Sequence, residues 1–296
     1  MPTATINNIE LAYEVKGDLD QPVILLIHGL SMSIPAWPPA FLRALRDAGF
    51  TLLLFDNRDM GHSQKFTEKG VPNFAWQLLK SKMGLPVKTV YSLKDMSDDA
   101  CALLEHLQID KAHVLGVSMG GMIAQQMAID HPEKLLSLTS IMSTTGKRGL
   151  PGPKKEVVTH FMSRPESSSF ADRLKFSIRT WELIGSPDYP IDPEVTEMFV
   201  KNLLERGMPR DGTARQMLAI AASTKRRKGL EQVDIPSLVI HGKDDPLVRV
   251  ECGIDTADAI PNARLELVDG MGHDLPQELI PRISNLIVEH VTNVSV

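Results

Sequence analysis

The sequence predicts an α/β fold: a mostly parallel, doubly wound sheet with a helical lid, or cap, inserted near its middle. Three observations predict it. First, short apolar runs recur and stop at a glycine or a polar residue: 22–28 (PVILLIH), 51–55 (TLLLF), 112–117 (AHVLGV), 135–142, 237–240 (SLVI) and 264–268 (RLELV). Strands buried on both faces read this way, as parallel strands do. Second, helix-period segments alternate with them, at 38–48, 97–107, 119–131, 250–259 and 278–291. That alternation favours one sheet with right-handed crossovers. Third, 144–230 contains no clear strand and is too long for a structureless loop. It carries helical stretches at 170–184, 193–206 and 213–223. The expected organisation is a core built from 1–143 and 231–296, with 144–230 as the inserted cap. Residues 9–15 read as an early edge strand. The other long excursion, 64–93, holds a helical piece around 76–79.

Composition narrows the function classes. The chain has 296 residues, 43% hydrophobic and 23% charged, so it buries a large core without staples. A net charge of −5 gives no electrostatic reason to expect nucleic acid or an anionic membrane as partner. Two cysteines, Cys101 and Cys252, form neither a CxxC pair nor a zinc spacing, and read as reduced thiols. Residues 1–8 carry no secretory signal pattern and no run is long and apolar enough to span a membrane, so a cytoplasmic location is expected. The basic run 225–228 reads as a solvated helix end where the cap rejoins the core.

The chemical signal is Gly116-Val117-Ser118-Met119-Gly120, a G-x-S-x-G pattern. Alone it is weak, since chance supplies it in roughly one chain in ten of this length. Its setting strengthens it: an apolar strand precedes it and a helical segment follows. A serine at a strand-to-helix turn is held in a strained backbone conformation, where bulky neighbours would clash. Its hydroxyl then stands clear at the sheet edge, and the helix N-terminus turns amides toward developing negative charge. Gly120, Ala124 and Ala128, spaced by four, give that helix a smooth face toward the sheet.

A serine nucleophile needs a base, and the base an orienting acid. His273, in GMGHDLP after the RLELV run, is the candidate base. His290 reads as a surface residue of the last helix, and His28 as a locally bonded structural histidine. Asp244 and Asp245 share the loop after SLVI; the position three residues past Gly242 selects Asp245, leaving Asp244 as a turn-former. Two backbone N–H groups should hold an oxyanion: Met119, next to the nucleophile, and Leu30 in the loop after PVILLIH, with Ser31 second. Met32 and Met119 are candidates for an adaptable acyl pocket. Trp37, Trp76 and Trp181 either contact that pocket or pack cap on core.

Together these residues resemble the α/β-hydrolase superfamily over nearly the whole chain. The order is His28-Gly29, then D-x-R-x-x-G-x-S (Asp56, Arg58, Gly61, Ser63), GVSMGG, HGKDDP (241–246) and GMGHDLP (270–276). Within it the chain looks like the esterase and methylesterase branch that includes aclacinomycin methylesterase. Asp59 departs from the glycine of many relatives, as it does in the aclacinomycin-type proteins, and reads as a turn feature. The resemblance implies an α/β-hydrolase fold and serine ester hydrolysis. Ser118 attacks the ester carbonyl of a small-molecule substrate, His273 takes its proton and Asp245 steadies the imidazolium. The Leu30 and Met119 amides hold the oxyanion, and no metal or organic cofactor is implied. C–C bond hydrolysis or cofactor-free perhydrolysis on the same residues is the alternative. A low-turnover ligand-binding protein on the same fold is the alternative from another class.

Overall fold

The computed structural model describes residues 1–223 and 226–294. Its strands are β1 (Thr3–Ile6), β2 (Ile9–Lys16), β3 (Val23–Ile27), β4 (Thr51–Phe55), β5 (Ala112–Val117), β6 (Leu135–Ile141), β7 (Ser237–Gly242) and β8 (Arg264–Val268). Its α-helices are α1 (Pro39–Asp47), α2 (Phe74–Met83), α3 (Leu93–His106), α4 (Met119–Asp130), α5 (Lys155–Met162), α6 (Phe170–Ile184), α7 (Pro193–Gly207), α8 (Arg210–Ala222), α9 (Arg227–Leu230), α10 (Val250–Ala259) and α11 (Ile280–Thr292). The strands form one sheet in the order β1-β2-β4-β3-β5-β6-β7-β8, antiparallel at β1/β2 and β2/β4 and parallel elsewhere. This is the doubly wound α/β sheet that the apolar runs predict.

Both sheet faces are dry, and the period-two alternation divides each central strand between them. Leu25 and Ile27 of β3, with Leu53 and Phe55 of β4, join the core under α3 and α4. Ile24 and Leu26, with Leu52 and Leu54, join the opposite core under α1 and α11. Each fully buried Leu or Ile side chain contributes about 1.5–3 kcal/mol of transfer free energy.

Three expectations are corrected. Residues 9–15 are not the edge: β1 pairs outside β2. Its four residues are too short for periodicity to stand out. Helix α5 lies outside the stretches read as helical, whereas α9 begins within the basic run read as a helix end. Of the basic run, Lys225 lies outside the described residues, and Arg226 is buried rather than solvated. Its guanidinium donates to the Thr144 carbonyl at 2.9 Å and to Gln125 Oε1 at 3.3 Å. Cys101 and Cys252 are buried free thiols; burial pushes the Cys101 thiol up to about 12. Among the described residues no helix is long and apolar enough to cross a membrane.

Between β6 and β7 the described residues form helices α5 to α9 and no strand. Two buried ion pairs fix part of this segment to the loop after β4. Arg206 at the end of α7 meets Asp56 at 2.8 Å, and Arg215 of α8 meets Asp59 at 2.7 Å on each carboxylate oxygen. Asp59 takes φ +71, in the left-handed region that glycine fills most readily and Asp tolerates. It stands where a glycine is common in this motif because its carboxylate is the partner of a buried arginine. The turn feature of the sequence is a fastener for α8.

Candidate active site

The loops leaving the carboxyl ends of β3, β5, β7 and β8 meet at Ser118, with β6 between β5 and β7, at the strand ends where ligand sites lie in open α/β sheets. Ser118 ends β5 and caps α4. Its backbone takes φ +56 and ψ −118, a conformation costly for any residue with a Cβ. The chain can turn there because a Cβ on Gly116 would collide with the Gly120 carbonyl, and a Cβ on Gly120 with the Ile27 carbonyl of β3. The elbow is tied down by Ser118 N–H donating to Ile141 O at 2.9 Å and Ser143 Oγ donating to Ser118 O at 2.8 Å.

The His273 ring stands between Ser118 and Asp245. Its Nε2 lies 3.0 Å from Ser118 Oγ and its Nδ1 2.7 Å from Asp245 Oδ2. The second Asp245 oxygen accepts the Leu247 and Val248 amides, both at 2.8 Å. Asp245 is fully buried, His273 is 6% exposed, and Ser118 is more open than either. The candidate base and acid are thus shielded, and the candidate nucleophile is the most open of the three. Asp244 is exposed and accepts the Gly270 amide at 2.9 Å, tying the two loops together as a turn-former does. The loop bearing His273 is also held by the chain after α6. His273 N–H donates to Ile184 O at 2.7 Å, and Gly272 N–H to Ser186 Oγ at 2.9 Å. Ser186 in turn donates to Asp274. Burial raises the Asp274 carboxyl above the usual range, against the lowering effect of Ser186.

The loop after β3 lies against the serine: a Cβ on Gly29 would sit 3.3 Å from Ser118 Cβ and 3.8 Å from Ser118 Oγ. Among the described residues no protein acceptor takes the Leu30 or Met119 N–H. Ser31, the second candidate donor, is occupied: its N–H donates to Gln216 Oε1 at 2.9 Å.

Of the other histidines, His28 and His290 stand apart from this chain of contacts, whereas His241 Nε2 lies 3.7 Å from Asp245 Oδ2. His28 is held locally, by a backbone hydrogen bond at Ile34 and by the Trp37 ring 4.5 Å away, while its Nε2 is buried without a partner among the described residues. Burial lowers it to about 3, so it is neutral and brings no charge to the crevice. His290 is half-buried rather than a surface residue, and burial lowers it too. His241 is buried with Nε2 2.7 Å from the Val248 carbonyl, supporting the Asp245 loop from beneath. Trp37 packs on Phe41 in the core, and the Met119 side chain is core as well. Trp76 is 51% exposed, and Trp181 packs edge-on against Phe199. Sequence reading missed Arg206, Arg215 and Gln216; only for Arg215 was there a signal, Asp59, since a buried acid at a glycine position demands a cation.

Comparison with known proteins agrees with this architecture. The family described as alpha/beta hydrolase fold matches residues 22–277. The chain is 27% identical to rhodomycin D methylesterase DauP of Streptomyces sp. (strain C5), covering 98% of each chain. It is 24% identical to the bifunctional esterase/perhydrolase DCH of Acinetobacter calcoaceticus, covering 92% of each. Among solved structures, the enol-lactonase from Burkholderia xenovorans LB400 superposes with a TM-score of 0.77 at 22% identity, over 99% of this chain and 100% of that one.

Proposed function

The chain belongs to the α/β-hydrolase-fold family, and from that premise we propose that it is a serine hydrolase of carboxylic esters, of the methylesterase type. The observation that carries this reading is the line of contacts from Ser118 Oγ through His273 to Asp245, at 3.0 and 2.7 Å, on a strained elbow. In this reading Ser118 Oγ attacks the ester carbonyl while His273 Nε2 accepts its proton. Asp245 accepts from His273 Nδ1–H and stabilises the imidazolium that forms. The Met119 and Leu30 amides donate to the tetrahedral oxyanion. His273 then returns the proton to the leaving alcohol, and the acyl group stays on Ser118. Water attacks the acyl-enzyme with His273 again as base, releasing the acid and free Ser118. The methylesterase and esterase relatives support an ester as the substrate class.

In the same reading, 144–230 is a cap over the crevice and 1–143 with 231–296 is the core. The cap's contacts to the His273 loop and to the loop after β4 support that division. A second reading, perhydrolysis, is favoured by the similarity to the esterase/perhydrolase: hydrogen peroxide replaces water as attacker of the acyl-enzyme and a peracid leaves.

The test is hydrolysis of short-chain p-nitrophenyl esters together with labelling by a fluorophosphonate. The expected result is turnover and a single labelled site, Ser118. Correctly folded protein with neither activity would overturn the reading.

A further inference from the structure

We propose that Gln216 is a positioning residue: helix α8 sets the conformation of the oxyanion loop, so that the site is complete only with α8 docked. The proposal rests on the reading of Leu30 as an oxyanion donor.

The loop Gly29–Met32 closes with Met32 N–H donating to Gly29 O at 3.2 Å, the i to i+3 bond of a β-turn. Its third residue, Ser31, takes φ +63. That is the position and sign of a type II turn, where glycine is the usual occupant because a side chain is strained there. The strain persists only where the surroundings over-determine it, and here they belong to α8. Gln216 Oε1 accepts the Ser31 N–H at 2.9 Å, and Thr213 Oγ1 lies 2.7 Å from Ser31 Oγ. These side chains sit at i and i+3, on one helix face.

Gln216 is fully buried, and its other end is also fixed: Nε2 donates to the Arg58 carbonyl at 2.9 Å. Its amide orientation is therefore set, with an acceptor toward Ser31. The competing type I turn would flip the Leu30–Ser31 peptide and bring the Leu30 carbonyl toward Gln216 Oε1, setting two acceptors face to face. Gln216 thus selects the peptide orientation beside the Leu30 N–H. Next to it, the Arg215–Asp59 pair locks α8 down. Gly212 lets the helix approach, since a Cβ there would lie 2.8 Å from Asp59 Cβ.

The experiment compares wild type with Gln216→Met, which keeps the volume and removes both polar arms. Four readouts are kcat and KM on p-nitrophenyl acetate, inhibition by a trifluoromethyl ketone, hydrogen exchange of the peptide spanning 28–34, and melting temperature. We expect kcat to fall about ten- to a hundredfold with KM nearly unchanged, ketone affinity to fall in proportion, and the loop to exchange faster. The double variant Ser31→Gly/Gln216→Met should regain most of the lost kcat, because glycine adopts the positive φ without help. A folded Gln216→Met protein with wild-type kcat and loop exchange would overturn the proposal, and so would a double variant as slow as the single one. If Gln216→Met does not fold, Thr213→Val decides by the same loop exchange: faster supports the proposal, unchanged overturns it. Failure of the ester-hydrolase reading shows up separately, as a wild type without turnover or labelling. Loop exchange still tests Gln216 in that case.

Discussion

Two serines of this molecule sit in left-handed backbone conformations, Ser118 at φ +56 and Ser31 at φ +63, and they are held there by different means. Ser118 is gripped by the core itself. Strand β5 enters it, α4 leaves it, glycines on either side admit backbone at contact distance, and the Ile141 and Ser143 bonds come from the neighbouring strand and its end. Ser31 is gripped by two side chains of a helix more than 180 residues further along the chain. One strain is built into the sheet; the other depends on contacts from helix α8. In the proposed reading, a rigid nucleophile stands beside an oxyanion loop set from outside, which would link substrate entry under the cap to readiness for chemistry.

The largest effect should come from the core half. Asp245→Asn keeps the side-chain shape but removes the charge facing His273 and favours the wrong tautomer. We expect kcat on p-nitrophenyl esters to fall by about 10⁴ with the circular dichroism spectrum unchanged. A loss under tenfold would break the assignment of Asp245.

The next effect belongs to the inserted segment and is one of stability. Arg215→Met leaves the Asp59 carboxylate buried beside only Tyr91 and the Phe66 amide. Removing one partner of a buried pair costs about 3–5 kcal/mol, read as a lower urea midpoint. The pH dependence follows from the sign of the Asp59 shift. In wild type, burial raises the carboxyl, but Arg215, Tyr91 and the Phe66 amide outweigh it and hold it below its ordinary value. Its contribution is therefore complete above an unfolded value of about 4. It is lost as pH falls through the lower folded value. Without Arg215 the effect of burial on Asp59 is less opposed, and protonation relieves the charge. The gap between wild type and Arg215→Met should narrow from pH 7 to pH 4. A gap that widens on acidification would show that Arg215 does not stabilise the carboxylate.

The contrast also explains what was legible in the sequence. Strand residues 51–55, 112–117 and 264–268 coincide with β4, β5 and β8, because burial on both faces writes itself as an unbroken apolar run. The elbow announces itself through glycines whose requirement is local. His273 and Asp245 follow chain order, and the structure brings His273 to Ser118 and Asp245 to His273. The loop 29–32 could be singled out from the sequence, but not what holds it. Gln216 is an ordinary polar residue on a helix, and its partners Ser31 and Arg58 lie in a distant part of the chain. Arg226 in its basic run looked solvated for the same reason: only the fold reveals the carbonyl of Thr144 waiting for it. Local sterics are written in the sequence, whereas long-range capture of a single side chain is not.

The smallest expected effect tests the contrast most directly. Ser143→Ala removes one hydrogen bond from the elbow, the 2.8 Å donation to Ser118 O. If the core grips Ser118 redundantly, the strand-to-helix turn, the Ile141 bond and the glycine contacts should hold its backbone unaided. Stability should drop by about 1 kcal/mol, the worth of an ordinary hydrogen bond, and kcat should stay within about twofold of wild type, since no reacting atom moves. Thr213→Val removes the 2.7 Å hydrogen bond to Ser31 Oγ together with a long 3.4 Å bond to the Pro209 carbonyl, and beyond its own turn bond the side-chain hold on Ser31 among the described residues comes from α8. Its kcat should fall further than that of Ser143→Ala at an equal or smaller loss of stability. Equal kcat losses in the two variants would mean that both strained serines are held with the same redundancy, and the distinction between a built-in and an imposed strain would fall.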